Sequence, residues 1–159
     1  MKILMVCLGN ICRSPMADGL LRKKVKERQL NVFVDSAGTA GYHVGDKPDS
    51  RMRSTAKKFG VSLEELSARK FDVSDFDDFD LIYAMDRSNK QNILRLARSA
   101  ADRQKVDLIL NVLYPDKDME VPDPYYGGEQ GFIDVYNMLN EATDKIIEKI
   151  EKWQQERSI

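Results

Sequence analysis

A thiol, five intervening residues, an arginine and a hydroxyl make up the segment best suited to chemistry: Cys7-Leu8-Gly9-Asn10-Ile11-Cys12-Arg13-Ser14. A loop of this length can curl so that its backbone N–H groups point inward. Set on the positive end of a helix, such a nest binds a tetrahedral dianion. Gly9 is expected to take up the backbone dihedrals that the curl requires. The same field stabilises a thiolate at the bottom of the bowl, which makes Cys7 the candidate nucleophile. Ser14 can donate its hydroxyl to that sulfur. Arg13 offers a planar fork to two oxygens of the dianion. Taken singly, these residues have ordinary readings, since a Cys ending a buried strand is usually a small core hydrophobe. Their order between a strand and a helix favours the catalytic reading.

A bound phosphoryl ester also needs a proton donor, because phenolate and alkoxide leave poorly. Val121-Pro122-Asp123-Pro124-Tyr125-Tyr126 supplies one. Asp123 sits between two prolines, so its carboxyl can be held ready as a general acid at little entropic cost. Alone, the segment would read as an Asp-Pro turn with two partly buried tyrosines. Two other chemistries fail. Neither GxxxxGK[ST] nor GxGxxG follows the first strand, and a serine triad would depend on His43, in a loop without a nucleophile elbow.

The elements around these segments must position them. Lys2–Cys7 is a continuously apolar run that reads as a buried parallel strand. Ser14-Pro15 then predicts a helix N-cap followed by Pro at the first helical position. Further strands are predicted at Val32–Asp35, Asp80–Ala84 and Val106–Leu110, with a Gly-rich loop from Gly38 to Gly45. Helices are predicted at Ser50–Phe59, after a capping box at Ser88-Asn89-Lys90-Gln91, and along a stripe from Phe132 to Trp153. A Pro-rich loop runs from Pro115 to Pro124. Strands alternating with helices predict an α/β three-layer sandwich, a parallel sheet covered on both faces. In such sheets ligands bind beyond the carboxyl ends of strands, and the Cys7–Ser14 loop leaves one.

The chain has 159 residues and a net charge of −1, which predicts a single domain spanning 1–159. The charge balance lacks the basic excess of a nucleic-acid binder. No apolar run is long enough to span a bilayer, and Ile3–Val6 is too short for a signal peptide. The expectation is a cytoplasmic protein without membrane partners. The two cysteines, Cys7 and Cys12, would close almost no loop as a disulfide. Their spacing suits zinc poorly, so free thiols and no metal are expected.

VCLGNICRSP near the start and DPYY far downstream resemble the signature of the low-molecular-weight protein-tyrosine phosphatases. Asp35-Ser36-Ala37-Gly38-Thr39 and Ala84-Met85-Asp86-Arg87-Ser88-Asn89 also look like segments of that family, so the resemblance covers the whole chain. It implies a four-stranded parallel sheet, no cofactor, and a monomer that hydrolyses phosphotyrosine in proteins through a phosphocysteine. By position it implies Cys7 as nucleophile, Arg13 as phosphate-binding arginine and Asp123 as general acid. The loop residues Leu8, Gly9, Asn10, Ile11, Cys12 and Ser14 would surround the substrate. Ser14 would stabilise the thiolate, while Asn10 with Ser36 would hold the loop's curl. Cys12 matches a second cysteine associated with reversible oxidation, and Tyr42 and Tyr125 resemble aromatic walls of the pocket. One departure is Leu66, where the family often carries a histidine two residues before an Ala-Arg pair. Its loop-supporting network must then be built differently.

Three rivals are narrower. A thiol-dependent arsenate reductase of this fold would need further cysteines, and none follows Cys12. A protein-arginine phosphatase would be expected to carry Thr at the position of Ile11. A silent phosphate-binding module would have no need to retain Cys7, Arg13 and Asp123 together.

Overall fold

Six residues, Lys2–Cys7, form strand β1, and five of them are fully or almost fully buried. Both faces of β1 are covered. Ile3, Met5 and Cys7 point into one apolar cluster, Leu4 and Val6 into the other. This period-2 division of a continuous apolar run is what a central parallel strand requires. Each such side chain contributes roughly 1.5–3 kcal/mol of burial.

The computed structural model describes residues 1–157. It contains β1, α1 (Arg13–Glu27), β2 (Phe33–Gly38), α2 (Ser50–Lys58), α3 (Asp75–Asp78) and β3 (Leu81–Ala84). Then come α4 (Arg87–Leu94), α5 (Ala100–Gln104), β4 (Val106–Leu108), a 3-10 turn (Ile109–Val112) and α6 (Glu129–Arg157). The four strands are all parallel in the order β2-β1-β3-β4. The chain steps outward from β1 to β2, then crosses back to β3 on β1's other edge. The order therefore reverses beside β1, and the Cys7–Ser14 loop leaves the sheet there.

Helices α1 and α6 pack on each other over one face, with α2 against α6. Of the predicted stripe, Phe132, Val135, Leu139, Ala142, Ile146 and Ile150 are buried, and Trp153 at its end is partly buried against the core. The opposite face is filled by Phe71, Phe76, Ile93 and Leu108 under the α3–α5 side. Among the described residues no helix is long and apolar enough to cross a membrane.

Several predicted boundaries move. The second strand starts one residue later and runs on to Gly38, because its end pairs with β1 and with Lys70. The fourth stops at Leu108. Ile109 and Leu110 are buried in a 3-10 turn, where apolar periodicity alone cannot separate strand from turn. The short helices α3 and α5 were not predicted. The capping box at Ser88 is not formed. Asp86 caps α4 instead, accepting from the Asn89 N–H, so Ser88 lies within the first turn.

Candidate active site

The Cys7–Ser14 loop is shaped by one residue in the left-handed region. Asn10 has φ 58°, whereas Gly9 does not have positive φ, which corrects the role expected of Gly9. Asn tolerates this conformation when its side chain is bonded locally. Here the Asn10 carboxamide oxygen accepts from the Arg69 N–H at 3.0 Å, and its Nδ2 donates to Ser14 Oγ at 2.7 Å. A Cβ at Gly9 would lie 3.2 Å from the His43 ring, a tight contact that a small shift of that side chain relieves. Gly38 is needed for space: a Cβ would lie 2.7 Å from the Leu8 carbonyl oxygen.

Helix α1 begins at Arg13, with Cys12 as N-cap and no side-chain cap. The expected capping role of Ser14 is therefore not taken up, and Pro15 lies third in the helix. The Ser14 hydroxyl turns inward to the Cys7 sulfur, 3.0 Å away. The Asn10 N–H also approaches that sulfur, at 3.3 Å. Ser36 is buried on β2, close enough to Asp18 to favour that carboxylate's charge. Leu66 packs against the core and brings no polar group. The loop's support is Asn10, Ser14 and the Arg69 amide.

Arg13 is 3% exposed. Its Nη1 donates to Asp86 Oδ2 and to the Val121 carbonyl, leaving its other nitrogens to face the pocket. Burial opposes the guanidinium's charge. The negative charge available at Cys7, then Asp86 and Asp123, outweigh it and hold Arg13 above its ordinary value. Burial, then the charge of Asp49, pushes the Cys12 thiol far up, so Cys12 stays protonated. Both cysteines are free thiols. The Asp49 N–H bonds the Ile11 carbonyl at 2.8 Å, docking the start of α2 on the loop.

A cavity of about 240 Å³ opens over the loop. Cys7, Leu8, Gly9, Ile11, Cys12 and Arg13 line its base, while Tyr42, Asp123 and Tyr125 line it from two distant segments. Asn10 and Ser14 lie buried behind this lining. Asp123 Oδ2 is 3.8 Å from Arg13 Nη2, and Asp123 Oδ1 accepts the Tyr125 N–H at 3.0 Å. Tyr125 is wedged between Tyr126, ring centroids 5.0 Å apart, and the Arg51 guanidinium at 5.2 Å. Such a wall of rings beside the Cys7–Arg13 loop and its guanidinium can receive a flat aryl group bearing a tetrahedral anion.

Sequence reasoning missed four residues here. His43 and Tyr126 line the cavity, Asp86 holds Arg13, and Arg69 holds Asn10. Asp86 follows the carboxyl end of β3, next to β1, so the strand-end rule could have found it. Arg69 belongs to the Ala-Arg pair after Leu66, but nothing in that pair points to its bond with Asn10.

Comparison with known proteins points one way. The family model described as low molecular weight phosphotyrosine protein phosphatase matches residues 2–156. A low molecular weight phosphotyrosine protein phosphatase of Schizosaccharomyces pombe is 43% identical over 152 residues, 94% of this chain and 96% of its own. A protein tyrosine phosphatase from Entamoeba histolytica superposes with TM-score 0.90 at 41% identity, covering 97% of this chain and 99% of that one. A Drosophila arginine phosphatase superposes at TM-score 0.86 and 33% identity, over 94% of this chain and 97% of that one.

Proposed function

Because this chain belongs to the low-molecular-weight phosphotyrosine protein phosphatase family, we propose that Cys7, Arg13 and Asp123 carry its hydrolysis of phosphotyrosine in proteins. The observation behind this reading is that one cavity is lined by all three, with the Ser14 hydroxyl on the Cys7 sulfur.

The phosphoryl dianion binds to the loop amides and to the free edge of Arg13. Cys7 sulfur attacks phosphorus in line with the leaving oxygen. Little covalent work falls to the protein, so positioning and charge stabilisation carry the step. As the P–O bond breaks, Asp123 gives its proton to the tyrosyl oxygen and a phosphocysteine remains. Asp123, now a carboxylate, takes a proton from water, whose oxygen displaces the thiolate and releases inorganic phosphate. Leu8, Ile11, Tyr42 and Tyr125 flank the ring of the substrate. The same reading has the chain act as a single domain and as a monomer in the cytoplasm, where free thiols persist.

Turnover of a phosphotyrosine peptide tests it. Cys7→Ser is expected to abolish turnover while vanadate still binds, since the amides remain. Retained turnover in Cys7→Ser would refute the nucleophile. A second reading, hydrolysis of phosphoarginine, has in its favour the likeness to the Drosophila arginine phosphatase.

A further inference from the structure

Asn10 has a carboxamide with two chemically different ends, and which end faces Ser14 decides what reaches the Cys7 sulfur. The Arg69 N–H, 59 residues away, can only donate, so the carboxamide oxygen must face it. The NH₂ end is thereby turned to Ser14 Oγ at 2.7 Å, and the serine oxygen becomes an acceptor. Its single proton is left for Cys7 Sγ at 3.0 Å or the Ala37 carbonyl at 3.5 Å, and distance favours the sulfur. Two donors then converge on sulfur, the Ser14 hydroxyl and the Asn10 N–H, and both favour thiolate. Turned over, the amide would set two donors face to face at Arg69, and its oxygen would draw the Ser14 proton away from the sulfur.

The Arg69 backbone lies in an irregular stretch between α2 and α3, so something must hold it. Its carbonyl accepts from the Gly38 N–H at 2.8 Å. Its guanidinium reaches in two directions. Nε donates to Asp35 on β2 at 3.0 Å, and Nη1 and Nη2 donate to the two Asp75 oxygens at 3.0 and 3.1 Å. Asp75 is 4% exposed and also accepts the Asp72 N–H at 2.8 Å. This fork joins the sheet to α3 and leaves the Arg69 amide little freedom.

We propose that Arg69, clamped by Asp75 and Asp35, is a positioning residue that sets the direction of the hydrogen-bond relay from Asn10 through Ser14 to Cys7. The proposal rests on Cys7 being the nucleophile. Lysine cannot reproduce the fork, being a single point charge.

The test uses the full chain carrying Asp75→Asn or Arg69→Lys. Steady-state kinetics on an aryl phosphate, thermal melting and iodoacetamide alkylation of Cys7 at pH 6 and pH 9 are measured. In either variant the ratio of the pH 6 to the pH 9 alkylation rate should fall about tenfold, and kcat at pH 6 should fall about tenfold, with KM moved less than about twofold. Should Asp75→Asn not fold, Arg69→Lys gives the same readings. An unchanged alkylation ratio would overturn the proposal, including the case in which only the melting temperature drops. Turnover by Cys7→Ser in parallel would instead strike the nucleophile assignment, so the two failures are separable.

Discussion

Asp86 Oδ2 lies 2.7 Å from Arg13 Nη1, and its other oxygen accepts the Asn89 N–H at 2.7 Å. One carboxylate thus both caps α4 and orients the guanidinium that faces the pocket. The pair is buried on the Arg13 side and about one-fifth exposed on the other (3% and 21%). Asp86→Asn separates the two duties, since Asn caps helices as well as Asp does. Loss of the charge-assisted bond should lower kcat/KM about ten- to a hundredfold and weaken inhibition by inorganic phosphate. The melting temperature should move little. Unaltered kcat/KM would mean that Arg13 is held well enough by the Val121 carbonyl alone.

Asp123 is about two-fifths exposed at the mouth of the cavity, within reach of an arriving ester oxygen (42%). Asp123→Ala should slow phosphotyrosine hydrolysis by about a hundredfold or more. Aryl phosphates whose phenol leaves without a proton should lose much less. Equal losses across a series of leaving groups would remove Asp123 from the acid role.

Cys12 is buried in the loop and its thiol is held protonated, so peroxide should attack Cys7 first. Cys12, in the same loop, is then expected to capture the oxidised sulfur as a disulfide with loss of water. Cys12→Ser should keep turnover but recover less activity with dithiothreitol after mild peroxide. Equal recovery in both proteins would show that Cys12 protects nothing.

Asp18, in the second turn of α1, is fully buried. Burial pushes its carboxyl up to about 6, although Arg22 and Ser36 oppose the shift. An aspartate in the unfolded chain titrates near 3.9. Between these values the folded state binds the extra proton, so stability from this group is present at low pH and is lost as pH rises through about 6. Comparing urea unfolding at pH 4 and pH 7, the native protein should lose about 2 kcal/mol relative to Asp18→Asn. Parallel pH dependence in the two proteins would disprove the shift.

Ile11 is 9% exposed at the cavity wall, with its carbonyl tied to Asp49. A branched apolar side chain there can press on the flat face of a phenyl ring. Such a contact is worth about 1–3 kcal/mol in discrimination. Ile11→Thr should shift the ratio of specificity constants from phosphotyrosine toward phosphoarginine peptides. If the ratio held while both rates fell, Ile11 would be packing alone.

Local chemistry was legible without coordinates. Strand β1 announces itself because both its faces are buried, which leaves no polar residue between Ile3 and Cys7. The loop that follows is legible because thiol, arginine and hydroxyl lie within eight consecutive residues, and Asp123 because two prolines frame it. The resemblance of these segments to one phosphatase family extended that reading to the whole fold. Tertiary structure decided the rest. The left-handed residue is Asn10 and not Gly9, because the Arg69 amide is there to bond its side chain. Ser14 serves the sulfur and not the helix end, because Cys7 lies 3.0 Å away. Asp86 and Arg69 reach the loop from 73 and 59 residues along the chain. Periodicity and capping patterns report burial and neighbours within a turn or two, whereas these partners meet only where β3 and the segment after α2 are packed beside β1 and β2.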